Sequence, residues 1–450
     1  MSRILNLINL CKSHKTVNDS IHGMFKISKF ASLIVDHPFF QRLRYLKQLG
    51  ACSYVYPNAV HTRFEHSLGT YYLTKKILNE IKHNSNQYYL IEPLIDIPNL
   101  EEYFKEVEKI DLDDYVIELI SIGGLCHDLG HGPYSHMFDD IFVPQLEKLY
   151  PDINLGLNKS HENRSVELLK IIVNQTEMLK TNLTQNEINF ICDLINPDKN
   201  IHTGYIYQLV SNNLNGLDVD KFDYLTRDAK MLGLNISFQS DRLINNAKVI
   251  DNKIMYCKQL IPDIINLFNT RHYMHRTVYG HKGVISIDYM LCDLMLKLNK
   301  YVNFTEFFTD LNKFVEFTDY DILTQAKMHK HDEEIKKIFD SISSHKLYPL
   351  IFSKTIDKTD KEFKIGDFII DKVDNSDYIF HQFTIGYISG NKKNPLENIF
   401  LYSTKDDLVV KLMDSNLTKL MPGNFQETVI MIFYKNKDKV EDIKKDLFNL

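Results

Sequence analysis

The stretch HDLGHGPYSH, residues 127–136, crowds three histidines and an aspartate around two glycines and a proline. Imidazole and carboxylate together suit a borderline divalent cation such as Fe, Mn, Zn or Ni, and carboxylates also admit Mg. Neighbouring side chains on a helix diverge by about 100°. His127 and Asp128 can therefore reach one ion only at a helix end or bend. Gly130, Gly132 and Pro133 supply that bend. The preceding run YVIELISIGGLC (115–126) reads as a helix opened by Asp113 or Asp114, which delivers the pair at its end. His131 and His136 stay nearby as acid, base or phosphate-binding groups.

A pair is not a site, so further ligands must come from elsewhere in the chain. HTRFEH (61–66) puts His66 on a helix with Arg63 one turn earlier, so that both face one cleft. NGLDVDKFDYLTRD (215–228) clusters Asp218, Asp220, Asp223 and Asp228 with Lys221, Tyr224 and Arg227. His66, His127, Asp128 and Asp220 then make two imidazoles and two carboxylates, with positions left for water or a phosphate oxygen.

The rest of the chain reads as a mostly α protein, a helical core with a smaller C-terminal α+β lobe. Helices are expected over 36–50, 63–78, 115–126, 163–173, 186–195, 261–268 and 285–299, from apolar residues at helical spacing. In 36–50, Gly50 is the expected stop, and Phe39, Leu43 and Leu46 share a face. Further helical pieces (304–316, 332–343) give way to strand-like runs at 367–373, 381–388, 398–404 and 428–435. Residues 105–114 and 389–398 read as surface loops. The division expected is a core of 1–310, with a regulatory segment at 1–50, and a regulatory and oligomerisation lobe of 311–450.

Of 450 residues, 44% are hydrophobic and 25% charged, with a mean hydropathy of −0.26, as in a soluble globular protein. The formal net charge of −6 argues against a general polyanion-coating protein, so nucleic acid is not an expected partner. No apolar run approaches the ~18 residues of a membrane span, and the N-terminus lacks a signal-peptide pattern. Six scattered cysteines, none spaced CxxC, suit a reducing compartment, cytoplasmic or nuclear.

The order H…HD…D resembles that of the HD-domain metal-dependent phosphohydrolases. The words around it are narrower: NDSIHG (18–23), FQRLRYLKQLG (40–50), RFEHSLG (63–69), GLCHDLGHGPYSHMFD (124–139), NGLDVDKFDY (215–224), TRHYMHRTVYGHK (270–282) and NPLENIFLYS (394–403). These resemble the SAM- and HD-domain-containing deoxynucleoside triphosphate (dNTP) triphosphohydrolases of animals, over nearly the whole chain. No counterpart of the SAM domain or of the family's C-terminal tail is expected here.

The resemblance implies cleavage of a dNTP at the α-phosphorus, giving deoxynucleoside and triphosphate. It implies Fe, Mn or Zn on His66, His127, Asp128 and Asp220, with Mg on the nucleotide phosphates. Arg63, Lys221, Tyr224 and Arg271 match its phosphate-binding positions, and His275 lies one turn beyond Arg271. His136 matches the histidine near the scissile bond, while His131, Asp139 and His161 match the residues that organise water and proton transfer. Tyr279 matches the ring that excludes a ribose 2′-hydroxyl; Gln48, Leu49 and Asp228 match the sugar contacts. Taken singly, Tyr224 and Tyr279 would be packing residues, His161 a helix-start residue, and Arg271 with His275 a solvated face.

The same resemblance implies activation by nucleotides bound between subunits of a homo-oligomer, a dimer or a tetramer. Asp36, Gln41 and Arg44 match a guanine-reading set, as in GTP, with Lys15 and Asn18 on its phosphate side. Val55, Tyr56, Arg242, His281 and Lys282 match a second pocket for a dNTP. Several positions depart from the pattern. Gly280 replaces a glutamine, Lys411 an arginine, Asp414 falls about where a cation is expected, and Gln259 and Asp263 replace a lysine and an asparagine. Loss of cations weakens triphosphate binding, so the activator half is expected to be the more altered. The alternatives are an HD phosphohydrolase for another nucleotide or single-stranded nucleic acid, and a catalytically silent nucleotide-binding regulatory protein.

Overall fold

The structure, a computed structural model, describes residues 3–151, 155–236, 238–356, 377–387, 394–403, 409–414, 425–436, 440–441 and 443. Its centre is the helix Asp114–Cys126, in which every side-chain position from Tyr115 to Cys126 is buried. Asp113 caps it, its carboxylate accepting from Tyr115 N and Val116 N, which settles the choice between Asp113 and Asp114. Helix Arg63–Asn84, opened by a Thr62/Glu65 capping box, lies against it. Helix Val219–Met231 also packs on Arg63–Asn84, helix Ile261–Met274 packs on Val219–Met231, and helix Lys282–Val302 packs on Glu333–Ser343. Leu73, Leu78, Val116, Leu119, Leu125, Phe222 and Leu225 are all fully buried in one cluster. Each such side chain contributes roughly 1.5–3 kcal/mol relative to leaving it exposed.

The expected helix over 36–50 is not one helix. Pro38–Gln41 forms a single α turn, Arg42–Tyr45 a 3₁₀ turn, and Gly50–Tyr54 another, with Gly50 at φ 49° opening it rather than closing the first. Tertiary bonds take the backbone out of the helix. Gln48 N donates to His61 O (2.9 Å), Arg63 N to Leu46 O (3.0 Å), and Lys47 N to the Asp319 carboxylate (3.0 Å). The inward residues are Phe40, Leu43 and Leu46, with Phe39 only half-buried.

The small sheets were less legible. Strands β1 (His14–Asp19) and β2 (Gly23–Ser28) make an antiparallel hairpin at the N-terminus. Strands β3 (Lys248–Ile250) and β4 (Lys253–Cys257) pair, and β4 continues parallel to β7 (Phe400–Tyr402), which pairs with β8 (Val409–Lys411). This sheet joins segments from both sides of residue 310. A second C-terminal sheet has the order β5-β9-β6, from Leu350–Ile356, Gln426–Tyr434 and Tyr378–Gly386. The strand-like runs at 381–388, 398–404 and 428–435 hold β6, β7 and β9; the run at 367–373 and the first half of 389–398 lie outside the described residues. Among the described residues no helix is long and apolar enough to cross a membrane.

Candidate active site

The four expected ligands converge. His66 Nε2 lies 3.4 Å from Asp128 Oδ2 and 3.2 Å from Asp220 Oδ1; His127 Nε2 lies 3.4 Å from Asp128 Oδ1 and 3.5 Å from Asp220 Oδ1. Ligand atoms bound at ~2.1 Å to one ion are about 3.0 Å apart at a right angle and about 3.4 Å apart at the tetrahedral angle. His66, His127 and Asp220 thus offer one atom each at the spacing of a metal site, and Asp128 adjoins them with a different oxygen towards each histidine while also grouping with His131 and His161. The chemistry agrees. His66 Nδ1 donates to Asp223 Oδ2 (2.7 Å) and His127 Nδ1 to Gly124 O (2.8 Å). A carboxylate and a carbonyl only accept, so each ring carries its proton on Nδ1 and presents a bare Nε2. Both Nε2 atoms are buried without a hydrogen-bond partner. A divalent cation is what such a cluster lacks. Burial disfavours charge on His66, but the carboxylates of Asp220, Asp223 and Asp128 outweigh it, so a positive charge at Nε2, a metal ion or a proton in its place, is favoured there.

At the bend the glycines give space, since a Cβ on Gly130 would lie 2.3 Å from His161 O and one on Gly132 2.4 Å from the Phe138 ring, and the positive φ falls on the residues after Pro133. Tyr134 and Ser135 both have φ 60°, a region that side-chain-bearing residues avoid. Asp319 accepts from Tyr134 N (2.7 Å), and Ser135 Oγ receives Arg63 Nε (2.9 Å) and donates to Lys47 O (2.8 Å). Arg42, wholly buried, donates to His131 O (2.9 Å). Arg63 also pairs with Asp128, fixing that ligand.

Beside the ligands lies a histidine set. His131 stacks on His161 with ring centroids 4.0 Å apart and 18° between planes, and its Nε2 is 3.3 Å from Asp128 Oδ1. Burial, with Arg63 and His161 adding like charge, holds the pKa of His131 well below the usual imidazole range. His161 goes the other way: burial lowers its pKa, but the Asp139 carboxylate, 3.3 Å from its Nδ1, and the charge of Glu162 raise it overall. Asp139 is fixed by the buried Arg164, which also donates to Gly130 O (2.7 Å). His136 stands on the exposed rim, its ring 5.1 Å from that of His131.

The third group faces the ligands from the helices beyond. Lys221 donates to Asp218 (2.9 Å), and Arg271 donates to the Gly386 carbonyl of β6. Burial raises the pKa of Tyr224, against the charges of Arg271 and Lys221; burial lowers that of His275, with Arg271, His136 and Lys221 adding to it. All of these thus lie within electrostatic reach of one another. Asp228 receives His61 Nε2 (2.7 Å) and Tyr279 Oη (2.7 Å), and His275 meets the Tyr279 ring edge-on at 4.9 Å. Tyr279 is thereby held on two sides. Gln48 is buried beside Arg63, with its Oε1 unpartnered, and Leu49 is half-buried. His275 to Tyr279 is a π turn, a wide turn that recurs at functional sites.

With this geometry in hand, the comparisons decide the family. Residues 63–228 match the HD domain. The chain is 36% identical to an HD domain-containing protein of Acanthamoeba polyphaga mimivirus, covering 96% of this chain and 95% of that one. It is 32% identical to the deoxynucleoside triphosphate triphosphohydrolase SAMHD1 homolog of Dictyostelium discoideum (96% and 80%), and 28% identical to human SAMHD1 (94% and 71%). The chain belongs to this family of HD-domain dNTP triphosphohydrolases.

Within the family frame, the residues matched to activator binding fall in two places. Lys15 on β1 pairs with Asp36, while Arg44 donates to Gln41 (2.8 Å) and Gln41 to Val35 O (2.6 Å). Asn18 lies opposite Met24 in the same hairpin. Elsewhere, Tyr56 donates to Thr277 O (2.6 Å) and meets His281 edge-on, Val55 lies against Gly283, where a Cβ would come 3.2 Å from its Cγ2, and Lys282 is exposed. Arg242 is bound by the buried Asp263 (2.9 Å). Gly280 has a steric reason: a Cβ there would lie 2.7 Å from both His275 O and the Phe383 ring.

Asp19, His22, His61, Ser135, Arg164 and Asp319 escaped the sequence reading. Asp223 and Arg227 were noted only as members of a cluster. Their spacing, three and seven residues beyond Asp220 on one helix, was the available signal.

Proposed function

We propose that this chain is a metal-dependent dNTP triphosphohydrolase, converting a dNTP and water to deoxynucleoside and triphosphate. The observation that carries this is the closed ring of His66, His127, Asp128 and Asp220 with two bare, buried imidazole nitrogens, set beside a cationic group and a pinned tyrosine. A divalent ion (Fe, Mn or Zn) held there would polarise a phosphoryl oxygen and acidify water, with Mg on the nucleotide phosphates.

The chain's own residues do the rest. Arg63, Lys221, Tyr224 and Arg271 bind phosphate oxygens; Lys221 and Arg271 exchange their present carboxylate and carbonyl partners for them, while Arg63 keeps Asp128. The stacked pair His131 and His161 has its pKa values pushed apart, which is how one site keeps a base and an acid at neutral pH. His131 is the base of the pair, His161 beside the Asp139 carboxylate is the acid, and His136 stands at the departing 5′-oxygen. Tyr279, fixed by Asp228 and His275, leaves no space for a 2′-hydroxyl, and Gln48, Leu49 and Asp228 seat the sugar. The Gly280 position offers no side chain to a base, so all four dNTPs are substrates.

Activators act at Lys15, Asn18, Asp36, Gln41 and Arg44 (GTP) and at Val55, Tyr56, Arg242, His281 and Lys282 (a dNTP), in a homo-oligomer. Asp263 cancels the charge of Arg242, and Lys411 and Asp414 on and beside β8 offer little to a triphosphate, so activity depends only weakly on GTP. Incubation with dGTP and Mn²⁺, with and without GTP, tests both statements. Deoxyguanosine plus triphosphate is expected in either case; monophosphate plus pyrophosphate would refute the assignment, and strict dependence on GTP would refute the regulatory part.

A further inference from the structure

The segment NDSIHG (18–23) is the turn of the N-terminal hairpin, and none of the chemistry above uses Asp19 or His22. Both reach the metal ring from behind. His22 Nε2 lies 2.6 Å from Asp223 Oδ1. Asp19 Oδ1 accepts from Ile21 N and His22 N (both 2.8 Å), which shapes the turn, and Asp19 Oδ2 accepts from Arg227 Nη1 (2.9 Å). Arg227 grips Asp223 with two bonds, Nε to Oδ2 (2.8 Å) and Nη2 to Oδ1 (2.9 Å). The remaining bond to Asp223 Oδ2 comes from His66 Nδ1. A carboxylate has about four acceptor sites, and all four of Asp223 are filled.

The side chains concerned are all nearly sealed from solvent: His22 is 8% exposed, Asp19 4%, Arg227 1% and Asp223 0%. Close packing agrees. A Cβ on Gly69 of the Arg63–Asn84 helix would lie 2.0 Å from Asp223 Oδ1 and 2.6 Å from Arg227 Nη2, so the helix carries glycine where this cluster presses on it. The far end of the hairpin is tied down independently, Ser28 Oγ donating to the buried Glu118 (2.6 Å). The hairpin is thus fixed at both ends to the helices that carry the ligands.

We infer that the hairpin turn is a structural part of the metal centre: His22 and Asp19, through Arg227 and Asp223, are positioning residues that orient His66. Without the His22 bond, one lobe of Asp223 is unfilled, the carboxylate can rotate about the Arg227 fork, and the His66 ring loses its fixed tilt. Partners behind a ligating histidine commonly govern affinity by about 10–100-fold.

The test is direct Mn²⁺ binding by the full chain, measured by calorimetry and by Mn²⁺ electron paramagnetic resonance, beside thermal unfolding of the metal-free protein. His22→Phe keeps a ring against Tyr72 but removes the donor; His22→Gln places an amide donor near the original Nε2. The expected result is a Kd raised about 10-fold or more in H22F and largely restored in H22Q, with an altered resonance line shape in H22F alone. Lys26→Ala, on the exposed face of β2, leaves the Kd unchanged. Wild-type Mn²⁺ affinity in H22F overturns the inference, and so does equal weakening in H22F and K26A. A folded H22F that fails to differ from H22Q overturns it as well.

Discussion

Replacing His127 by alanine isolates the metal ring from the fold around it. The side chain is 13% exposed at the C-terminal end of the Asp114–Cys126 helix, and its one internal bond runs from Nδ1 to Gly124 O. Losing that bond and the ring's contacts costs the metal-free protein about 1–2 kcal/mol, a fraction of its stability. The effect on metal is larger. Partners behind a ligand are worth 10–100-fold, so the ligand itself is worth at least 100-fold. At a Mn²⁺ concentration 100 times the wild-type Kd, binding stabilises the native state by about 2.7 kcal/mol; with Kd raised 100-fold the same concentration gives about 0.4 kcal/mol. Thermal unfolding with and without Mn²⁺ reads this directly: a clear upward shift in the wild type, nearly none in H127A, and no triphosphate release from dGTP. An undiminished Mn²⁺ shift in H127A, or retained turnover, would refute the ring as the metal site.

Three further outcomes follow from particular contacts. Tyr279→Ala removes a ring pinned by Asp228 and His275, so the ratio of kcat/KM for dGTP over GTP should fall about 10-fold or more, whereas Tyr279→Phe keeps most of it; unchanged discrimination in Y279A would exclude the ring as the sugar gate. Gly69→Ala gains about 1 kcal/mol of helix propensity but drives a methyl into the Asp223–Arg227 pair, and the clash wins, destabilising by roughly 1–3 kcal/mol in urea unfolding; a more stable G69A contradicts the packing. His381 on β6 is half-buried and its pKa is pushed down to about 4 by desolvation, so the native state keeps it neutral while the unfolded chain takes a proton below about 6.5. Stability from this residue is present above that pH and is lost as pH falls from about 6.5 towards 4, on the order of 1–3 kcal/mol; His381→Gln should flatten that slope, and an identical slope would place the loss elsewhere.

What the amino-acid sequence determined by itself was the list of chemical parts and the elements that carry them. Apolar residues at helical spacing placed the helices beneath His66 and His127, because such a stripe must be buried whatever it meets, and the glycines and proline after Asp128 marked the bend; the helix beneath Asp220 was read only as a charged cluster. Tertiary structure decided everything that depends on two distant segments meeting. The 36–50 run breaks at Leu46 because the 61–63 backbone offers its groups better partners than the next helical turn would. Tyr134 and Ser135 are held in a disfavoured conformation by Asp319 and Arg63, which no local propensity encodes. Asp223 looked like any other acid in a charged helix until the fold set His22 on one oxygen and His66 on the other. Local interactions write periodicity into a sequence, whereas a site assembled across two hundred residues leaves only residue types, and distance alone turns those into chemistry.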